Sequence, residues 1–301
     1  MKINCPNPKC VLKVDLGPKS KRIVGNGSYF RKSDSRWIRR YQCRMCCCYF
    51  SRATFSDRYH QKVRRINEPL KNLLVSGVSQ RRAAKLLRVN PKTVVRRFRF
   101  LAEYARNQHQ QWLKQYEKKP IDSLQFDDLE TSEHTKCKPI SVALAIEPQQ
   151  RKILDFQVSQ MPAKGMLVKL ARKKYGSRKD QRPQGWDRLM LNLKPYVSTH
   201  ATFISDDNPH YPRFVKKHHP QVTHTTVKGG RGSIAGQGEL KKLRFDPLFS
   251  LNHSCAMLRA NLNRLFRKTW CMTKNLRGLA DHLALYIVYH NLVLTPQLQH
   301  S

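Results

Sequence analysis

Short blocks of hydrophobic residues, separated by turns and by helical stretches, dominate the second half of the chain. Three blocks follow one another closely enough to form a β-meander, and a helix separates them from a fourth strand. The predicted elements are strands at 123–129, 140–146 and 152–158, a helix at 166–175, a basic insert at 174–194, a strand at 201–205, a helix at 211–217, a strand at 222–227, and helices at 253–272 and 276–292. This order predicts one mixed α/β domain over residues 121–301.

Residues 62–106 have a different pattern, because their apolar side chains recur about every 3.6 residues, as on one face of a helix. Ser79 is placed to cap one short helix, and Pro91 stands in the first turn of the next. Two short helices joined by a tight turn predict a helix-turn-helix module over 57–106, followed by a linker or helix extension at 107–120. An ordinary helical hairpin with a solvated basic face is the alternative. The side chains expected to face the DNA major groove are Lys92, Thr93, Arg96 and Arg97.

Six of the nine cysteines lie before residue 49. The four that form two pairs are Cys5, Cys10, Cys43 and Cys46. The segment between the pairs has a turn signal at 25–27 and aromatic strand residues, as in a small hairpin. Four thiolates brought together in this way predict a tetrahedral Zn²⁺ site in a zinc ribbon over residues 1–56. Cys47 and Cys48 follow directly and can compete as ligands, and a set of buried cysteines without metal is a second alternative.

The chain carries 58 Lys and Arg against 20 Asp and Glu, a net charge of +38. A charge this large exceeds what solubility requires and predicts a polyanionic partner, DNA or RNA being the simplest. No membrane span is expected, because no stretch of about 18 apolar residues is present. The amino terminus has no apolar signal core, which indicates a cytosolic protein. A ribosome-associated RNA-binding protein would carry similar charge, but a helix-turn-helix suits the major groove of DNA better.

The scarce carboxylates are concentrated where two of the predicted strands end. Asp127 and Asp128 lie at the end of the first strand, and Asp206 and Asp207 directly follow the fourth. Carboxylates on neighbouring strand ends form a hard-oxygen site for Mg²⁺ or Mn²⁺, of the kind that cuts and joins phosphodiesters. The pattern therefore predicts a nuclease or strand transferase. The alternatives are that Asp127 and Asp206 cap strand ends, and that Asp128 and Asp207 solvate the site or hold basic residues.

The order of the elements is that of a ribonuclease-H-like fold, and the chain resembles the DDE-type transposases of small bacterial insertion sequences. The resemblance covers nearly the whole chain, as a zinc ribbon, a helix-turn-helix and a ribonuclease-H-like domain. Its motifs are the run Gln125-Phe126-Asp127-Asp128, a D-x-x-x-x-Y pattern from Asp206 to Tyr211, and a basic helical stretch at 258–269. By this match Asp127 and Asp206 are the catalytic aspartates and hold Mg²⁺ or Mn²⁺. The basic residues implied to contact DNA are Arg259, Arg264, Arg267 and Lys268.

One position departs from the family pattern. Family members carry a Glu seven residues before the Arg of a Leu-Arg pair, and here that position is Asn252. An Asn offers a carbonyl oxygen without negative charge, so metal binding should weaken. The implied catalytic triad is Asp127, Asp206 and Asn252. The nearby substitutes for the third ligand are His253, Asp246 and Glu239.

The resemblance implies a DNA transposase that binds the terminal inverted repeats of its own element and a target DNA, as a homodimer. It implies metal-dependent strand cleavage and strand transfer in a bacterial cytoplasm, with the protein held on the nucleoid through DNA. A catalytically inactive relative that acts as a sequence-specific DNA-binding protein is the alternative of a different class. The Gly-rich segment 229–238 is expected to be a mobile loop that lacks the spacing of a phosphate-binding P-loop.

Overall fold

A computed structural model describes residues 3–10, 22–32, 34–228, 246–266 and 271–295. The chain forms two compact units, Met1–Pro69 and Leu70–Ser301. The Gly-rich segment 229–238 lies outside the described residues. The four-part division expected from the sequence, with boundaries after residues 56, 106 and 120, stays a prediction.

The first unit contains a three-stranded antiparallel sheet in the order β1-β2-β3. Its strands are β1 (Ile23–Arg31), β2 (Arg36–Cys43) and β3 (Tyr49–Ser51). The turn predicted at 25–27 is wrong: the register shifts there, so the segment is a bulge within β1, and Gly27 has the positive φ of +64° that a bulge can require. The chain instead reverses after Arg31, whose guanidinium pairs with Asp34.

The second unit is built on a five-stranded mixed sheet in the order β6-β5-β4-β7-β8. Its strands are β4 (Ile121–Ser132), β5 (Pro139–Glu147), β6 (Lys152–Gln160), β7 (Val197–Asp206) and β8 (Thr223–Val227). β4, β5 and β6 are antiparallel neighbours, whereas β7 and β8 continue the sheet in parallel with β4. This meander followed by parallel strands matches the predicted order and is consistent with a ribonuclease-H-like fold.

Nine α-helices lie within the described residues. They are α1 (Asn67–Val75), α2 (Gln80–Leu86), α3 (Pro91–Leu113), α4 (Gln115–Lys118), α5 (Leu167–Tyr175), α6 (Arg182–Leu193), α7 (Tyr211–His218), α8 (Phe249–Asn261) and α9 (Leu276–Tyr289). Among the described helices, none is long and apolar enough to cross a membrane.

Side chains that alternate along the strands contribute to two separate hydrophobic cores, one on each face of the large sheet. On the first face, Leu129, Leu144 and other residues of the strands pack against apolar side chains of α3, α8 and α9. On the second face, Leu124 and Phe126 pack against the apolar side chains of α6 and α7. The sheet is therefore the middle layer of three, and its central strand β4 is covered on both faces.

The short helices that precede the sheet begin where the sequence predicts. The Ser79 side chain accepts a hydrogen bond from the backbone N–H of Arg82, and the Asn90 side chain caps α3 in the same way just before Pro91. α3 then runs for 23 residues, so the expected linker begins as a continuous extension of this helix. The buried residues Ala83, Ala84 and Val94 of α2 and α3 share the first core with α9.

Two sequence-based elements differ in the structure. The basic insert expected at 174–194 contains α6, whose Trp186, Leu189 and Leu193 are buried against the sheet, with Trp186 only 2% exposed. The helix expected at 253–272 ends at Asn261, because Leu262 is extended and the chain turns to bury Leu262 and Leu265. Residues 267–270 lie outside the described part of the chain.

Candidate active site and cysteine cluster

Strand register brings Asp127 and Asp206 side by side. Phe126 of β4 is paired with Ser205 of β7, and the two strands are parallel, so the next residue on each strand is one of the two aspartates. Both aspartates follow residues that face the second core, and they therefore lie on the first face of the sheet, on the side of α8. Two carboxylates next to each other on paired strands repel each other unless a cation or a proton lies between them.

The Asp127 carboxylate is held in place by Tyr211 of α7. The Tyr211 hydroxyl donates a hydrogen bond to Asp127 Oδ1 at 3.0 Å and accepts one from the backbone N–H of Asp128 at 3.1 Å. The same N–H lies 2.6 Å from Asp127 Oδ1. Tyr211 is buried, and its ring packs against Phe126 and Trp186. The orientation of Asp127 is thus fixed by the aromatic core of the second face.

The two aspartates are stabilised poorly as charged groups. Burial raises the pKa of Asp127 to about 6, and the neighbouring charge of Asp206 adds to the rise. Burial also raises the pKa of Asp206, and its Oδ1 atom is buried without a hydrogen-bond partner among the described residues. A buried carboxylate oxygen that accepts no hydrogen bond is suited to bind a cation. The donor set of these residues therefore fits Mg²⁺ or Mn²⁺.

Asp128 lies on the opposite face of β4 and has a different environment. Its carboxylate accepts hydrogen bonds from Ser141 Oγ and, at 3.2 Å, from Trp186 Nε1. Burial raises its pKa. These contacts tie β4 to β5 and α6, a structural role that differs from the expected alternative of solvating the site or holding basic residues. Asp207 is exposed at the end of β7.

The helix α8 lies against the strand that carries Asp127. Gln125 of β4 fixes this arrangement, because its amide accepts a hydrogen bond from the N–H of Leu251 at 3.2 Å and donates one to the carbonyl of Pro247 at 2.9 Å. Nearly two turns into α8, the buried Cys255 thiol is close enough for the negative charge of Asp127 to help burial raise its pKa to about 12. The sequence pattern alone gives no role for Gln125, although this residue is part of the first motif.

Asn252, the expected third ligand, is one helical turn before Cys255 on α8. It is exposed, and its Nδ2 donates a hydrogen bond to Asp246 Oδ2 at 2.8 Å, which directs the amide and leaves Oδ1 as an acceptor. Of the substitutes, His253 is half-buried and its pKa is lowered by burial and by Arg151. Glu239 lies outside the described residues.

No third carboxylate, histidine or cysteine joins Asp127 and Asp206 within the part of the chain that the structure describes. The one group of three or more such side chains that lies close enough to hold an ion there is the set of four N-terminal cysteines. An acidic third ligand is therefore absent among the described residues, and Asn252 stays the expected third ligand on the resemblance alone.

The residues expected to contact DNA have different surroundings. On α3, Lys92 and Arg96 are exposed, whereas Thr93 and Arg97 are half-buried. Arg259 on α8 is also half-buried. Arg267 and Lys268 lie outside the described residues.

Arg264 is directed into the protein, in contrast to the expectation of a helix face that contacts DNA. It follows the end of α8, and its guanidinium lies 5.7 Å from the ring centre of Phe98. Burial lowers its pKa, and the nearby Asp281 opposes that effect. The reason is the chain reversal after Asn261, which places Arg264 beside α3 and α9 rather than on a continuous helix. This packing reduces the guanidinium surface available to a phosphate.

The four cysteines expected to bind zinc lie together. Their sulfur atoms are all within 4.8 Å of one another, with 3.5 Å between Cys5 and Cys46 and 3.7 Å between Cys10 and Cys43. A tetrahedron of sulfurs around Zn²⁺ at ~2.3 Å has edges of ~3.8 Å, so the cluster fits this ion. A hydrogen bond with the backbone of Cys48 lowers the pKa of the Cys46 thiol to about 7.

The structure also separates the two competing cysteines from this cluster. Cys47 is exposed with a positive φ of 55°, and the Cys48 thiol is directed to the carbonyl of Tyr49. Among the described residues of the first unit's sheet region, the buried apolar side chains are few, namely Cys10, Cys43 and Phe50. A core this small needs a crosslink, which favours bound metal over free thiols.

Comparisons with known proteins give weak likenesses. Among solved structures, the Mos1 strand transfer complex is similar at 12% identity and a TM-score of 0.23, over 76% of this chain and 77% of that chain. The Mos1 transposase paired-end complex with left transposon end is similar at 13% identity and a TM-score of 0.24, over 76% and 78%. No family model matches the chain, and no curated protein does. Values this low leave the function to be argued from the site itself.

Proposed function

We propose that this chain is a DNA transposase that binds the ends of its own insertion element and performs metal-dependent strand cleavage and strand transfer. The observation that carries the proposal is the pair Asp127 and Asp206, adjacent on parallel strands, with raised pKa values and a buried Asp206 oxygen that lacks a donor. A chain of net charge +38 has no other evident reason to keep two acids in this arrangement. The proposed partner of opposite charge is DNA.

Each residue of the proposed site has a separate role. Asp127 and Asp206 hold the metal ions, and Asn252 contributes its amide oxygen. Tyr211 keeps the Asp127 carboxylate oriented, and Gln125 holds the start of α8 against β4. Bound Mg²⁺ or Mn²⁺ would activate water, and later a DNA 3′-hydroxyl, as the attacking group and would stabilise the leaving oxygen.

The rest of the chain would position the DNA. We propose that Lys92, Thr93, Arg96 and Arg97 at the start of α3 enter the major groove as part of a helix-turn-helix. A zinc ribbon built on the four N-terminal cysteines would also bind the terminal repeats. Arg259, with Arg267 and Lys268, would contact phosphates near the cleaved bond. Two copies of the chain, one for each end of the element, would form the active complex.

A second candidate function is a sequence-specific DNA-binding protein derived from a transposase but catalytically inactive. The observation in its favour is the lack of a third acidic ligand near Asp127 and Asp206 among the described residues. A neutral ligand leaves the site one negative charge short, so Mg²⁺ binding weakens. The two candidates agree on DNA binding and differ on metal-dependent chemistry.

A cleavage assay distinguishes them. The DNA flanking the gene is searched for inverted repeats, and a labelled duplex carrying one repeat is incubated with the protein and Mg²⁺ or Mn²⁺. We expect a nick at the repeat boundary that requires the metal and is lost in Asp127→Ala. Absence of metal-dependent nicking, together with equal repeat binding by wild type and Asp127→Ala, would reject the enzyme and leave the DNA-binding protein.

The third ligand is tested by a set of alanine variants in the same assay. We expect Asn252→Ala to lower the cleavage rate by about 10-fold or more, because the metal loses an oxygen ligand. Asp246→Ala should have a smaller effect, since Asp246 only orients the Asn252 amide. His253→Ala and Glu239→Ala should cleave at the wild-type rate. Full activity of Asn252→Ala, with loss of activity in one of the other three, would assign the role to that other residue.

A further inference from the structure

The helix α5 and its flanking loops form a strongly basic segment that the proposed function does not yet use. Residues 161–179 contain seven Lys and Arg and no Asp or Glu. The cations carried by the helix itself form what we call the α5 surface, which consists of Lys169, Arg172, Lys173 and Lys174. All four are exposed. Lys169 and Lys173 are four residues apart and share one side of the helix with Arg172 next to them.

One basic residue near each end of the segment is in an ion pair, whereas those of the α5 surface are in none within the part of the chain that the structure describes. Lys164 Nζ lies 2.5 Å from Glu130, and Arg178 lies 3.1 Å from Glu133. No ion pair to the α5 surface is found within the described residues. Like charges at helix spacings of three and four residues repel each other and destabilise the helix. An anionic ligand would relieve this repulsion.

The helix contributes little to the core. Ala171 is its one buried residue, whereas Met166 just before it is 99% exposed and Leu170 is 42% exposed. Glycines with positive φ stand on both sides, Gly165 at +58° and Gly176 at +75°, and a side chain at either would meet no atom within 4 Å. Packing within the second unit therefore explains neither why the helix α5 is present nor why it carries so many positive residues.

The anchors of this segment lie just beyond the candidate catalytic carboxylates. Glu130 belongs to β4 and follows Asp127 by three residues, which is ~10 Å along a strand. Tyr175 at the end of α5 is held by the ring of His134 and by Lys138, whose Nζ is 4.6 Å from the ring centre. Glu130 shares the face of β4 that carries Asp128, opposite to Asp127. The α5 surface is thus attached near the carboxyl-terminal end of β4, the end at which the parallel strand β7 carries Asp206.

We propose that the α5 surface binds the phosphate backbone of duplex DNA next to the bond that is cut, an inference that rests on the proposed function. A duplex carries one negative charge per ~1.7 Å of its axis, so DNA seated on Asp127 and Asp206 presents several phosphates within ~10 Å on either side. The contact is independent of sequence, because lysine and arginine on an exposed helix read phosphates rather than bases. An anionic membrane is the poorer occupant, since Met166 and Leu170 do not form a wide apolar face.

The test is the salt dependence of DNA binding, measured without added Mg²⁺ so that catalysis plays no part. The full-length variant Lys169→Gln/Arg172→Gln/Lys173→Gln is compared with wild type on a 40-bp duplex of arbitrary sequence, at several salt concentrations. Glutamine keeps the helix propensity while removing charge. If three phosphate contacts are lost, the negative slope of log K against log salt becomes shallower by ~2.7. The affinity near 0.1 M salt then falls by about 10- to 100-fold.

A matched control removes the same charge near the amino-terminal end of β4. Lys114, Lys118 and Lys119 are exposed and precede Ile121, so they lie ~20 Å along β4 from Asp127. The variant Lys114→Gln/Lys118→Gln/Lys119→Gln has the same net charge as the α5 variant. It should change the slope by less than one. Thermal unfolding of both variants at the wild-type temperature excludes a folding defect.

Each outcome decides the inference separately from the proposed enzyme. An equal loss of slope in both variants would mean that net charge alone matters, and an unchanged slope in the α5 variant would mean that the surface does not touch DNA. Unchanged DNA binding with lost binding to vesicles of anionic lipid would assign the surface to membranes. All three results overturn the inference, even if metal-dependent nicking is observed. A loss confined to the α5 variant supports it, even if nicking is not.

Discussion

Replacing Asp127 with Asn should abolish strand cleavage while making the folded protein more stable. The substitution removes the charge that holds the metal, and we expect cleavage to fall by about a thousandfold or more. The hydrogen bonds from Tyr211 and from the backbone N–H of Asp128 both reach Oδ1, and an Asn oxygen can accept both. The variant therefore keeps the local geometry and loses only the charge.

The gain in stability follows from the raised pKa of Asp127. The value is about 6 in the folded protein, against 3.8 for an unperturbed Asp, so the charged form is penalised in the fold. Below about pH 4 both states hold the proton and the penalty is absent; it grows as the pH rises from 4 to 6 and is complete above 6. At pH 7 the free energy of unfolding of Asp127→Asn should exceed that of wild type by about 1–3 kcal/mol.

Urea unfolding at pH 7 and at pH 4 measures this difference, with Asp122→Asn as the control. Asp122 is an exposed residue near the start of the same strand, so its substitution should change neither stability nor cleavage. Adding Mg²⁺ should stabilise wild type and have less effect on Asp127→Asn, because an ion that binds only the folded state stabilises it. A variant that is less stable than wild type at pH 7, or one that still cleaves, would contradict the assignment of Asp127.

The second large effect is expected from Cys43→Ser. Cys43 is fully buried and belongs to the cluster of four thiols, and the described part of the surrounding core has Phe50 as its other buried side chain. Structural zinc contributes on the order of 10 kcal/mol to the folding of such a module, so losing one ligand should unfold it. We expect about one zinc per chain in wild type, little in the variant, and rapid proteolysis within residues 1–56 of the variant.

Cys47→Ser is the matched control, because Cys47 adjoins the cluster in sequence and yet is exposed outside it. It should keep its zinc and resist the protease as wild type does. The Cys43 variant should also bind the element end more weakly, if the ribbon contacts DNA. A metal-free wild-type protein with normal protease resistance and DNA affinity would show that the cysteines are structural thiols and not zinc ligands.

Local patterns predicted most of the secondary structure. Ser79 and Pro91 mark helix starts that depend on hydrogen bonds within a few residues, and alternating apolar residues mark the strands around Asp127 and Asp206. The helix α6 was missed because the many charges around it hid the spacing of Trp186, Leu189, Met190 and Leu193, which is a helical one. The end of α8 was missed because it depends on burying Leu262 and Leu265 in a core formed by distant segments.

The sequence by itself determined which groups are available: two pairs of carboxylates beside strands, four paired cysteines and a large excess of positive charge. Only the tertiary structure decided what each group faces. The parallel register of β4 and β7 puts Asp127 and Asp206 on one face and turns Asp128 to the other, where Ser141 and Trp186 hold it. The same folding turns Arg264 inward and leaves the α5 surface outward. Side-chain direction and pairing across strands depend on contacts between residues far apart in the chain, which no local pattern records.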